Sequence, residues 1–179
     1  MSRYSEEQIR HLFSASASFN ELTEALEEAL AQNIGDLNFY MQLIHNHNLP
    51  PDERSLFGEK IAKERPEWRY DIFMALAKLF ELTSYTSDNY ERAMRYYRKA
   101  AGERPAETEP YMHAARCYNP IVTIPPFEEL VRFVKEGVIH AHGKKELLYE
   151  IASLYEARGD QAQAHFYRDL ADRNFLVDN

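Results

Sequence analysis

The chain has 179 residues, 45% of them hydrophobic, and a formal charge of −8. That length supports a real core, since folding at this size buries roughly 70% of the unfolded surface, while the acidity disfavours polyanions, whose phosphates need clustered Lys and Arg. One cysteine, Cys117, excludes a disulfide within the chain and fits a reducing compartment, and no apolar run approaches the ~18–20 residues of a membrane span.

Scarce glycine and prolines clustered between helical stretches point to an all-α fold with short connections. Met1 to Glu7 carries no apolar stretch of the kind a secretory signal needs, so a soluble cytoplasmic protein is expected. Ser5 is placed to cap a first helix with acids in its first turn, and Ile9, Leu12 and Phe13 give it one apolar face. A small polar break, 14–18, precedes a second helix over 20–32. Its stripe is Leu22, Ala25, Leu26, Ala29 and Leu30, and its wet face is Glu21, Glu24, Glu27 and Glu28. Gly35 suits a helix stop. Asp36 caps a third helix, which Pro50 and Pro51 end. Pro51 opens a fourth, with Leu56, Phe57 and Ile61 expected on its buried side.

Pro66, Glu67 and Trp68 open a fifth helix that runs to Leu82, and a loop over 83–88 follows. The sixth helix is expected over 89–103, and the seventh from just after Pro110 to about Asn119. The stretch 121–126 is extended and apolar but too proline-rich for a central strand, so it is expected to be a packed loop. Further helices are expected over 127–136, 144–158 and 160–174, and the last residues, 175–179, to fray or fold back.

One pattern recurs along these helices. Leu37, Tyr40, Met41 and Ile44 stand at i, i+3, i+4 and i+7. So do Phe73, Leu76, Ala77 and Phe80; Tyr111, Ala114, Ala115 and Tyr118; and Leu148, Ile151, Ala152 and Tyr155. The starts are about 36 to 38 residues apart, a spacing that marks helical repeats. After Phe80, the residues Tyr90, Ala93, Tyr97, Ala100 and Pro105 complete a unit that resembles the tetratricopeptide repeat. Small residues at Ala77 and Ala93 let two antiparallel helices approach while aromatics fill the gaps. The last unit resembles it too, with Gly159 and Asp160 at the helix–helix turn, Ala164 and Ala171, and Arg168 in place of the expected aromatic. The middle unit, with Phe127, Leu130, Val134 and Gly137 on its second helix, departs further, and the first matches only in its first helix.

The resemblance implies a single domain: an alpha-alpha superhelix of antiparallel hairpins. Two N-terminal helices (1–33) lead into a degenerate repeat (34–66), a repeat (70–105), a divergent repeat (108–142) and a repeat with a polar cap (145–174). It also implies a non-catalytic adaptor or chaperone-like module. Such a module binds a protein or peptide on a concave face, lined here by Met74, Lys78, Met112, Arg116, Tyr149 and Ser153. Against that stands an ordinary solvated face for each residue singly. Family members that clamp an acidic C-terminus use Lys and Asn at positions held here by Met74, His113, Glu146 and Glu150. Only Lys78 is basic, so no such clamp is expected.

No cofactor or metal is expected. The pairs His45/His47 and His140/His142 stand at i, i+2, about 200° apart on a helix, and cannot share an ion. Glycine-rich phosphate loops and nucleophile elbows are missing. The run Tyr96, Tyr97, Arg98, Lys99 invites base stacking, but Tyr97 occupies a core position of the repeat, so no nucleic acid is expected. The basic residues Arg92, Arg95, Arg98 and Lys99 read as a solvated helix face. The alternatives are a subunit that self-associates, through Phe175, Leu176 and Val177, and a helical enzyme with a site drawn from several helices.

Overall fold

A computed structural model describes residues 3–83 and 88–175. Among them are ten α-helices, one 3-10 turn and no ladder beyond a single isolated bridge. The all-α expectation holds. The chain forms two compact units, 1–76 and 77–179, with the boundary inside the fifth helix and so inside the expected 70–105 repeat.

The first unit holds α1 (Glu6–Ala15), α2 (Phe19–Ala31), α3 (Leu37–Ile44), α4 (Pro51–Glu64), a 3-10 turn (Pro66–Trp68) and the first half of α5 (Arg69–Leu82). α1 packs on α2 and on α3, and α3 packs on α4. Ser5 starts α1 with a capping box: its hydroxyl accepts from the Gln8 N–H and the Gln8 side chain accepts from the Ser5 N–H. α2 ends differently from expectation. Asn33, at φ 54°, is the left-handed residue; its N–H donates to Leu30 O, and the Ile34 N–H donates to Ala29 O. These two bonds close the helix two residues before Gly35, and asparagine tolerates this conformation better than most residues.

The α3–α4 connection is tied to the end of α1 by two amides, with Asn46 donating to Ser16 O and Asn48 to Ala15 O. Arg54 is buried beside the last turn of α3, where its guanidinium donates to Ile44 O at 3.5 Å. A cation suits that negative helix end. Leu56, expected in the core, is 60% exposed, and the buried row of α4 is Arg54, Phe57, Gly58, Ile61 and Ala62. The core is an aromatic chain: Phe13 against Phe39 at 5.2 Å, and Tyr40 against Trp68 at 5.3 Å, with Arg65 over the Trp68 ring. On α3 the fully buried residues include Phe39 and Leu43, which the repeat pattern passes over.

The second unit holds the rest of α5, then α6 (Asp88–Glu103), α7 (Glu109–Arg116), α8 (Phe127–His140), α9 (Lys144–Ala157) and α10 (Gln161–Phe175). α7 packs on α6, α8 and α9, and α9 packs on α8 and α10. This is the neighbour scheme of stacked hairpins, in which each first helix meets its own partner and the helices of the adjoining repeats. Phe80 stacks on Tyr96, 5.8 Å between centroids. Gly137 lies so close to α7 and α9 that a Cβ there would stand 2.6 Å from the Tyr111 ring and 2.9 Å from Leu147. Gly159, at φ 86°, closes α9 as expected: its N–H donates to Glu156 O, and that of Asp160 to Tyr155 O. Arg168 does replace an aromatic, but the preceding residue supplies one, since Tyr167 is buried and stacks on Tyr155 at 5.5 Å.

The stretch 121–126 is not a packed loop. Asn119 and Ile124 form a bridge, and the Asn119 side chain accepts from the Ile121 and Val122 N–H groups. The Ile124–Pro125 bond is cis. Pro125 is buried, while Ile121 at the tip is 90% exposed. α7 ends at Arg116, before the expected stop. Positions 84–87 of the expected loop, and Leu176 and Val177 of the expected self-association segment, lie outside the described residues.

Candidate interaction face

The six residues singled out from the repeat register do not share one environment. Met74 belongs to the first unit and is only 6% exposed. It is a core side chain and lines no open face. α5 buries Ile72, Phe73, Met74, Leu76, Ala77 and Phe80, an arc that covers most of its circumference, whereas the repeat pattern assumes one covered side.

The other five lie in the second unit and outside its core. On α7, Met112 is half-buried and Arg116 exposed, while the residues between them, Ala114 and Ala115, are buried. On α9, Tyr149 and Ser153 are exposed and flank the buried pair Ile151 and Ala152. The i, i+4 spacing puts each pair on one helical face. Arg116 joins the two helices: its Nε and Nη2 donate to one Glu150 oxygen at 3.0 and 2.7 Å. Tyr149 is held as well, its hydroxyl donating to the Asp172 carboxylate of α10, and this bond raises its pKa. Lys78, exposed on α5, has no ion-pair partner among the described residues.

Beneath Lys78 and Arg116 lies a small polar cluster that sequence reading missed. The half-buried His113 ring is stacked on Tyr97, 6.0 Å away with the planes 8° apart. Tyr97 donates its hydroxyl to the Glu81 carboxylate. Burial lowers the His113 pKa, the Lys78 charge lowers it further, and Arg116 adds to this against the opposing pull of Glu81 and Glu109. Cys117 is buried and donates to His113 O at 3.4 Å. Burial, with Glu81 nearby, pushes its thiol pKa up to about 12, so it is protonated at neutral pH and packs as a small apolar group. One signal could have exposed the cluster: Glu81, Tyr97 and His113 are polar-capable residues next to or on apolar stripes.

The aromatic run on α6 offers no stacking platform, because Tyr96 and Tyr97 are both buried. At the end of α3, burial lowers the His45 pKa, and the Arg54 and His47 charges lower it further. Among the described residues no group of three His, Cys, Asp or Glu side chains could hold a metal, and no helix is long and apolar enough to cross a membrane.

No protein-family model matches the sequence, and no curated protein matches it. Among solved structures, one named MamA MSR-1 C2 is similar over 97% of this chain and 98% of its own, with a TM-score of 0.52 and 15% identity. A likeness at that identity concerns the backbone, and it agrees with the repeat register read from the residues. The chain has a tetratricopeptide-like helical-repeat fold.

Proposed function

We propose that this protein is a non-catalytic interaction module that binds a protein segment across the α7–α9 face of its second unit. The observation that carries this reading is the stripe Met112, Arg116, Tyr149 and Ser153. These side chains stand outside the core on two adjoining first helices, and Arg116 is braced between the helices by Glu150. Braced polar groups lose little side-chain entropy on binding, which leaves more of the contact energy as affinity. Lys78 adds a cation at one end, and Glu146 and Glu150 make the α9 end acidic. A segment with a carboxylate at one end and a base at the other suits that order, which an acid-only clamp does not. Tetratricopeptide-like folds in general serve as protein-binding scaffolds, and cytoplasmic adaptor work belongs to the same proposal.

A displayed library of random dodecapeptides, selected on wild type and on Lys78→Glu/Arg116→Glu, tests it. Sequences enriched on wild type should lose about tenfold or more in affinity on the variant. Equal affinity on both would move the interface elsewhere. Self-association is a second reading, favoured by the exposed Ile121–Val122 tip.

A further inference from the structure

His113 stands on α7 three residues before Arg116, on the same side of the helix. Its ring is half-buried and lies flat on Tyr97, 6.0 Å away with the planes 8° apart. The His113 side chain makes no hydrogen bond or ion pair among the described residues, so neither ring nitrogen is committed. An imidazole is also the side chain whose ordinary pKa puts its charge change between pH 5 and 8.

The groups packed around the ring do not titrate with it. Burial and the Glu81 carboxylate raise the Tyr97 pKa, so its hydroxyl keeps the proton that it donates to Glu81. Cys117 is held protonated in the same way. The charges that act on the imidazole are Lys78 and Glu81 from α5, and Glu109 and Arg116 from α7 itself. α8 and α9 add none to that set, and Glu150 of α9 is engaged with Arg116. Two cations thus disfavour the imidazolium, Lys78 the more strongly, and two carboxylates favour it. Lys78 is exposed and has no ion-pair partner among the described residues, so an incoming charge can tip the balance. A carboxylate beside Lys78 offsets the cation that most disfavours the imidazolium and adds a negative charge of its own. Both effects draw a proton onto the ring, and the Tyr97 face beneath it suits the resulting cation.

We infer that binding on the α7–α9 face is proton-coupled: His113 takes up one proton from solvent as the carboxylate end of the segment docks between Lys78 and Arg116. This rests on the reading of that face as a segment-binding surface. Linkage fixes the direction. Affinity rises as pH falls from neutral towards the pKa of the free ring, and the bound segment raises that pKa by the same free energy. The face therefore holds its segment more tightly in mild acid than at neutral pH.

The probes are decapeptides with lysines at the first end, leucine and tyrosine in the middle and glutamates at the last, with amidated glutamine-for-glutamate counterparts. Binding is measured at pH 7.5 and pH 6.0, both above the sequence pI of about 5.4. The acidic-ended peptides should bind about threefold or more tighter at pH 6.0, and their counterparts equally at both. His113→Gln should remove the difference. In wild type, the NMR titration of the His113 Hε1 proton should move to higher pH when the acidic-ended peptide is saturating, a readout that needs no variant. Peptides that lose affinity in Lys78→Glu/Arg116→Glu but bind wild type alike at both pH values would overturn the coupling and leave the face. So would a pH difference that survives His113→Gln, or a His113 titration that the peptide does not move. Peptides that bind wild type and the double variant equally, or bind neither, would overturn the face and the coupling together.

Discussion

His113 is held neutral by its surroundings, and that has a sign that can be tested. Its folded pKa lies below the ordinary 6.5 because burial and the Lys78 charge disfavour the imidazolium. The unfolded chain therefore binds the proton more readily. Stability from this residue is fully present above about pH 6.5 and is lost as pH falls through the folded pKa. The melting temperature should drop between pH 7.5 and pH 5, and His113→Gln should reduce the drop. Carboxylates titrate lower and contribute little in that window. His45, lowered by burial and then by Arg54 and His47, acts in the same direction, so the reduction will be partial. A profile unchanged by His113→Gln would mean that the ring is solvated in the folded state.

Helix contact in the second unit turns on Gly137, where a Cβ would strike the Tyr111 ring and Leu147. Gly137→Ala gains about 1 kcal/mol of helix propensity but overpacks at about 1–3 kcal/mol. A net loss of up to about 2 kcal/mol is expected in urea unfolding, and a stabilised variant would show that α8 can retreat. Most elements were legible because the 3.6-residue period marks a helix and its covered face. Ser5, Asp36, Pro51 and Gly159 punctuate helices where local chemistry predicts. The failures share one cause, since periodicity describes a helix and not its neighbours. Nothing local distinguishes Asn33 from Gly35 as the left-handed residue, or shows that Leu56 faces out while Arg54 turns in beneath α3. The candidate site was read from register alone. It put Met112, Arg116, Tyr149 and Ser153 on α7 and α9 outside the core, but it took Met74 for a surface residue and passed over the contacts of Glu150 and Asp172, which cross 34 and 23 residues.

For the whole molecule, the net charge and the exposed tip oppose each other. At pH 7 the charge of −8 keeps copies apart, and near the sequence pI of about 5.4 that repulsion vanishes. Ile121, 90% exposed and held out by the Asn119 turn, is the contact expected to adhere under those conditions. Light scattering should rise as pH approaches 5.4, and Ile121→Asp should suppress the rise by at least about half. An equal rise in the variant would assign association to another surface.

The chain's one tryptophan, Trp68, sits in the aromatic core of the first unit, against Tyr40 and beneath Arg65. The second unit has tyrosine and phenylalanine but no tryptophan. The two units are thus spectrally distinct without any label. Emission excited at the red edge of the absorption band sees the first alone, and near-ultraviolet tyrosine dichroism is dominated by the second. Two melting curves recorded on one sample would give the cooperativity between them directly.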